Sequence, residues 1–184
     1  MQIETTALDG VLILTPRRFG DTRGWFVETY NASRMAEAGI ATVFVQDNHS
    51  FSAAKGTLRG LHYQKPPHAQ DKLVRCSRGA ILDVAVDVRA GSATYGQSVT
   101  IEVTAQNGRQ VLVPKGFLHG FVTLTDDTEV QYKCSDIYAP DCDGAVRWDS
   151  LGIDWGVTAP LLSDKDKAAP AFADWQSPFV GGAW

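Results

Sequence analysis

The sequence predicts an all-β fold, an antiparallel sandwich or barrel, on three observations. Apolar residues recur with a period of two: Leu82, Val84, Val86 and Val88 alternate with Asp83, Ala85 and Asp87, and Val99, Ile101 and Val103 repeat the pattern. Turn chemistry separates such runs at short intervals. Helical periodicity is nearly absent, which favours a sandwich or barrel over a mixed fold.

In chain order, Val11–Leu14 and Trp25–Thr29 read as the first strands. Asn31 to Ala38 supports a short helix, capped by Asn31 or Ser33 and stopped by Gly39. Strands are then expected at Val43–Gln46, Leu58–Gln64 and Leu73–Cys76, with a turn at Ser77-Arg78-Gly79. The two alternating runs at 82–88 and 99–103 follow. Gln106-Asn107-Gly108-Arg109 carries Asn-Gly, a strong hairpin signal, so the runs at 99–103 and 111–113 are expected to pair. Gly120–Leu124, a turn at Thr125–Asp127 and Glu129–Cys134 complete about ten strands. A second short helix begins near Ser163. Residues 139–184, with Pro140, Pro160, Pro170 and Pro178 and a concentration of tryptophan, read as an irregular covering segment. No linker or repeat divides the chain, so 1–184 is expected to be one domain.

Seventeen basic and twenty-one acidic residues give a net charge of -4 without a basic block, which argues against a nucleic-acid surface. A small anion needs only a few placed cations and stays open. Three cysteines (Cys76, Cys134, Cys142) without a CxxC pair point to neither a disulfide framework nor a zinc site. Met1 to Thr6 lacks signal-peptide character, and no apolar run approaches the ~20 residues that span a bilayer. The expectation is a soluble cytoplasmic protein with no membrane partner.

The chemistry concentrates at Leu58-Arg59-Gly60-Leu61-His62-Tyr63-Gln64, where one of four histidines stands beside a cation and a glycine in a strand-like run. Arg59 and His62 have opposite parity on an ideal strand, so a bulge or bend at Gly60 is needed to aim both at one site. Pro114-Lys115-Gly116-Phe117-Leu118-His119 matches P-x-G-x-x-H and resembles the second half of the cupin signature. The upstream H-x-H of metal-binding cupins is replaced by His62-Tyr63-Gln64, which favours a site without metal or cofactor. His119 alone reads equally as a hydrogen-bonded core histidine or as a substrate contact.

Several motifs in one order make the chain resemble the dTDP-4-dehydrorhamnose 3,5-epimerases, a cupin-fold family. They run from Phe19-Gly20-Asp21-Thr22-Arg23-Gly24-Trp25-Phe26 through Phe44–Ser50, Leu58–Gln64 and Lys72–Cys76. Gly116–Phe121, Gln131-Tyr132-Lys133-Cys134 and Leu162-Ser163-Asp164-Lys165-Asp166 continue the match. The resemblance implies a cupin-type double-stranded β-helix, a jelly-roll barrel with short peripheral helices. It implies His62 as base, Asp166 as the carboxylate that orients it, Tyr132 as acid on the opposite face, and Lys72 as the cation near the developing oxyanion. These residue types suit epimerisation beside a ketone, which needs a base, a stabilised enolate and an acid. Taken singly, each has a structural reading: a satisfied strand histidine, a Ser163–Asp166 capping box, a core aromatic, a strand-edge lysine.

The resemblance further implies that Arg23, Glu28, Gln46, Asp47, Asn48, Arg59, Tyr138, Asp143 and Lys165, with His119, contact substrate. Tyr138 would stack on thymine. The family pattern has a glutamate where Asp143 stands, so the shorter side chain is expected to reach its partner through water. Asp71, directly before Lys72, is expected to alter the lysine's environment. In the family Arg23 and Glu28 reach the neighbouring subunit's site through an exchanged strand, which implies a homodimer with exchange within residues 1–30. Competing readings are an epimerase that inverts only C3 or C5, a metal-dependent cupin disfavoured by the missing H-x-H, and a non-catalytic nucleotide-sugar binder.

Overall fold

The period-two alternation becomes two facing sheets. The computed structural model describes residues 1–182, so the last two residues of the expected covering segment lie outside the described residues. Seven strands come first in the chain: β1 (Gln2–Thr5), β2 (Leu12–Thr15), β3 (Arg18–Asp21), β4 (Gly24–Val27), β5 (Gln46–Ser52), β6 (Leu58–Gln64) and β7 (Lys72–Arg78). Then follow β8 (Ala80–Asp87), β9 (Ser98–Thr104), β10 (Gln110–Val113), β11 (Phe117–Thr123), β12 (Thr128–Cys134) and β13 (Asp143–Ala145). One sheet has the order β1-β2-β10-β7-β12-β5, the other β13-β6-β11-β8-β9, and β3-β4 is a separate hairpin. All strand pairings within these sheets are antiparallel.

Three apolar clusters follow from parity. Val74, Cys76 and Val130 of the six-stranded sheet meet Ile81, Ala85, Ile101, Val103, Phe117 and Phe121 of the other, filling the barrel between them. The alternate residues Val84, Val86, Leu118 and Val122 face outward and are covered by Val146, Trp155 and Phe179 from the chain after β12. Helix α1 (Ala32–Glu37) lays Met35 against Leu14, Leu73 and Leu112 on the outer face of the six-stranded sheet. Asn31 is its cap, accepting from the Arg34 amide at 3.2 Å, and Gly39 follows at φ +81°.

Two local expectations are corrected. Asn107-Gly108 does turn the chain, with Asn107 Oδ1 accepting from the Thr104 and Arg109 amides at 3.0 Å. Yet β9 pairs with β8, and β10 pairs with β2 and β7, so the turn carries the chain between sheets instead of closing a hairpin. The Arg18 guanidinium, which donates to the Gln106 carbonyl at 2.7 Å, packs against Gly108 and stabilises that crossing. Val43–Gln46 is not a strand: the ladder to β12 starts only at Gln46↔Cys134, Val43 and Val45 stay exposed, and Phe44 packs edge-on to Tyr30 at 5.6 Å. Three consecutive apolar residues carry no period-two signal; the true strand is a polar alternation, Gln46 to Ser52.

The bend needed at Gly60 is present. His119 pairs with His62 while Phe121 pairs with Arg59, so two residues of β6, Gly60 and Leu61, stand across from the single Gly120 of β11. That extra residue turns Leu58 and Leu61 outward into the covered face and aims Arg59 and His62 into the barrel. Gly60 has φ +136°, and a Cβ there would lie 2.6 Å from the Gly120 Cα. Gly60→Ala combines a disfavoured backbone with a backbone clash and is expected to cost about 3 kcal/mol or more in urea unfolding. A variant as stable as wild type would contradict the close approach.

The β8–β9 connection is pinned by one buried carboxylate. Asp87 accepts from Arg89 Nη2 at 2.7 Å, Arg89 Nε at 3.0 Å, and the Ser92 and Thr94 hydroxyls at 2.6 Å each. Burial pushes this acid upward, but these donors outweigh it and hold Asp87 well below the usual carboxylate range. A depressed folded pKa gives stability that is complete above the unfolded value near ~4 and is lost as pH falls toward the folded one. Asp87→Asn is therefore expected to lower unfolding free energy by about 2 kcal/mol at pH 7, with the difference from wild type shrinking below about pH 4. A difference that stays constant with pH would refute this role.

Candidate active site

The two sheets enclose a cavity of about 410 Å³ at one end of the barrel. Its polar lining is Ser50, Thr57, Arg59, His62, Lys72, His119, Tyr132, Ser163, Lys165 and Asp166, and its apolar lining is Leu58, Phe121, Leu161 and Leu162. The volume lies within the range of small-molecule sites. All four expected catalytic residues, with Arg59, His119 and Lys165, therefore converge on one space.

His62 Nε2 lies 2.5 Å from Asp166 Oδ1, joining residues 104 positions apart in sequence. The chain before Asp166 is fastened beside β6: the Leu58 amide donates to the Leu161 carbonyl, and the Leu161 amide to the Gly56 carbonyl, each at 2.9 Å. Asp166 then opens helix α2 (Asp164–Lys167), whose cap Ser163 Oγ accepts from the Asp166 amide at 3.1 Å. The backbone of Asp166 is thus capped by Ser163 while its carboxylate turns to the imidazole. Asp166 as a whole is only 3% exposed. Burial pushes this acid up, but the His62 hydrogen bond and charge, with Ser163 and Lys165, bring it below the usual range. As a carboxylate it accepts a hydrogen bond from Nε2–H, so a neutral ring carries its lone pair on Nδ1.

Tyr132 stands on β12, in the sheet opposite to β6. Burial pushes its phenol upward, reinforced by Cys134 and Asp143 and opposed by Arg59, so it stays a neutral donor. None of the side-chain hydrogen bonds among the described residues uses its hydroxyl. Lys72, on the neighbouring β7, points inward by parity with Val74 and Cys76. Burial lowers its ammonium from the ordinary value, partly offset by Cys134, Asp143 and Asp83. A desolvated cation of this kind gains most when negative charge develops beside it. Asp71 does not pair with it: that carboxylate accepts from the Lys115 amide at 2.9 Å and from Thr42 Oγ1 at 3.4 Å. The expected influence on the lysine is thereby corrected: Asp71 precedes β7, and its carboxylate is held by Lys115 and Thr42.

His119 is both buried and part of the cavity wall, its Nε2 2.8 Å from Asp83 Oδ2. It is the cross-strand partner of His62. Asp83 was not singled out from the sequence, although the signal was there: a carboxylate in the inward register of Ile81 and Ala85. Its Oδ1 is buried without a hydrogen-bond partner among the described residues.

Asp143, Tyr138 and Lys165 form a second group. The Lys165 ammonium donates to Asp143 Oδ2, and the Tyr138 hydroxyl donates to the same oxygen at 3.2 Å. Asp143 thus reaches Lys165 and Tyr138 directly: β13 pairs with β6, Asp143 opposite Gln64, which carries the short side chain close enough. Gln46 Nε2 donates to Asn48 Oδ1 at 3.1 Å, and Gln46 Oε1 accepts from the Tyr138 amide at 2.8 Å. Gln46 and Asn48 share the inward register of Ser50, whereas Asp47 points outward and pairs with Lys133 at 2.9 Å. Arg23 and Glu28 lie away from the cavity; Arg23 pairs with Asp21 at 2.5 Å and Glu28 with Arg34 at 3.1 Å. His49 pairs with Glu129 at 3.1 Å and His68 with Asp136 at 3.2 Å, neither in the cavity. Among the described residues no three His, Cys, Asp or Glu side chains cluster as metal ligands, and no helix is long and apolar enough to cross a membrane.

His62, paired with Asp166, and the Tyr132 phenol line one cavity from opposite sheets, with Arg59, Lys72 and Lys165 in the same wall, inside a jelly-roll barrel. Such an interior defines the class: a cupin-fold acid–base isomerase, a carbohydrate epimerase. Residues 5–174 match the family model described as dTDP-4-dehydrorhamnose 3,5-epimerase. The chain belongs to the dTDP-4-dehydrorhamnose 3,5-epimerase family. It is 48% identical to the dTDP-4-dehydrorhamnose 3,5-epimerase of Salmonella typhimurium over 92% of this chain and 94% of that one. Its fold superposes with a TM-score of 0.91 on the Bacillus anthracis enzyme of that name with TDP and PPi bound, at 47% identity, covering 93% of this chain and 99% of the other. The Legionella pneumophila epimerase in complex with dTDP-4-keto-L-rhamnose gives a TM-score of 0.88 at 43% identity, covering 92% of each chain.

Proposed function

We propose that this chain converts dTDP-4-dehydro-6-deoxy-D-glucose to dTDP-4-dehydro-L-rhamnose, inverting C3 and C5 in dTDP-L-rhamnose biosynthesis. The observation that carries the reading is the placement of the His62–Asp166 pair and Tyr132 on opposite sheets around one cavity. His62 Nδ1 removes the proton next to the C4 ketone. Lys72 stabilises the enolate oxygen, and Asp166 stabilises the imidazolium. Tyr132 then delivers a proton from the other face, which inverts the carbon. His62 then releases its proton to solvent and Tyr132 regains one from solvent, after which a change in sugar pucker or position presents C5 to the reset pair. The protein's own side chains supply both proton transfers.

Arg59 and Lys165 give the cationic end suited to a diphosphate, with Tyr138 as the flat partner for thymine and Gln46, Asn48 and Asp143 around it. Arg23 and Glu28 are distant from their own cavity, and they sit in or beside the hairpin β3–β4, whose Trp25 and Phe26 are 61% and 68% exposed. This supports a homodimer in which that hairpin serves the partner's site and covers its own aromatics. We place the working unit as one domain per protomer, in the cytoplasm where its nucleotide-sugar substrate is expected.

Proton NMR of the sugar after incubation with the 4-keto substrate tests the activity. The expected product carries the L-rhamno configuration at C3 and C5. A product inverted at one carbon would replace this reading by a single-site epimerase, and unchanged substrate would remove the enzymatic reading.

A further inference from the structure

Gln64 ends the strand that carries His62, is only 5% exposed, and takes no place in the proton chemistry. Its amide is fully engaged with two loops. Nε2 donates to the His68 carbonyl at 2.6 Å and to the Ile137 carbonyl at 3.1 Å, and Oε1 accepts from the Ala139 amide at 2.8 Å. These last two contacts bracket Tyr138 from either side. Gln46 Oε1 holds the Tyr138 amide itself at 2.8 Å. In addition, the backbone of Gln64 pairs with Asp143 in the β6–β13 ladder, as His62 pairs with Ala145. One residue therefore sets the position of Tyr138 through its side chain and of Asp143 through its backbone, two residues from the base.

We infer that Gln64 is a positioning residue that fixes the Tyr138–Asp143–Lys165 group at a set distance from His62, and so governs affinity for the nucleoside diphosphate without entering catalysis. This rests on the reading that the Tyr138 end holds the nucleotide. The role requires an amide. A glutamate of equal size has no N–H to offer and would confront the His68 and Ile137 carbonyls with a carboxylate. A buried carbonyl left facing an acceptor displaces its loop or loses its hydrogen bond. Simple space-filling, by contrast, would be satisfied by any side chain of the same volume.

The test uses Gln64→Glu and Gln64→Met in the full chain, measuring dTDP binding by calorimetry together with KM and kcat. Both variants are expected to raise the dTDP Kd and the KM by about 10- to 100-fold. Their kcat is expected to stay within about threefold of wild type, because His62 and Asp166 keep their seats. Wild-type Kd in either folded variant would overturn the inference, and so would a fall in kcat at unchanged KM. Collapse of the melting temperature in both variants would assign Gln64 to fold stability alone and overturn it likewise. A wild-type protein that fails to bind dTDP is a separate result: it removes the nucleotide reading itself and the inference with it.

Discussion

His62→Ala is expected to abolish turnover, with kcat lower by about 10³-fold or more and proton exchange lost at both C3 and C5. The size follows from what the imidazole does. It is the imidazole that stands on the sheet opposite Tyr132 with the Asp166 carboxylate fixed behind it. Alanine leaves Asp166 without its partner but does not disturb the second group, Tyr138, Asp143 and Lys165. dTDP affinity should therefore remain within a few fold of wild type, which separates lost chemistry from lost binding. Exchange surviving at one carbon would show that a second base serves that position, and the His119–Asp83 pair opposite His62 would be the first to examine.

The second large effect is expected from Tyr132→Phe, and it differs in kind. Phenylalanine keeps the ring that packs on the barrel core but deletes the donor. Because no hydrogen bond among the described residues depends on that hydroxyl, stability should change by less than about 0.5 kcal/mol. Removal of the substrate proton by His62 does not need the phenol. Delivery from the other face does. Product formation should thus fall by about 10²–10⁴-fold, while exchange of substrate protons with solvent falls far less. Comparing wash-out with product formation in the same sample checks this. Equal losses in the two rates would mean that Tyr132 is not the acid of the second face.

Much of the barrel was legible because burial on one face writes a period of two into the sequence, as in Leu82–Val88. Strands lacking that contrast were not: β3 and β13 are short, and β5 alternates only among polar and mixed residues. The Asn107-Gly108 signal was real but local. A turn dictates that the chain reverses, whereas which strands then pair depends on which sheet each buries against. The site was legible in part through chemistry and in part through resemblance. Gly60 could be flagged by physics alone, since Arg59 and His62 cannot share a face without an extra residue. Asp166 could not be separated from a helix cap, because the structure uses its backbone for the cap and its carboxylate for His62. Asp83 hid within a strand whose odd positions look like ordinary surface until the inward face is known.

In the proposed reaction one base and one acid on opposing walls move protons at two carbons. Incubation with the 4-keto sugar nucleotide in D2O, followed by NMR of the sugar protons, tests it most directly. Deuterium is expected at both C3 and C5 of the product in wild type and at neither carbon in His62→Ala. Exchange unaffected by loss of His62 would contradict it.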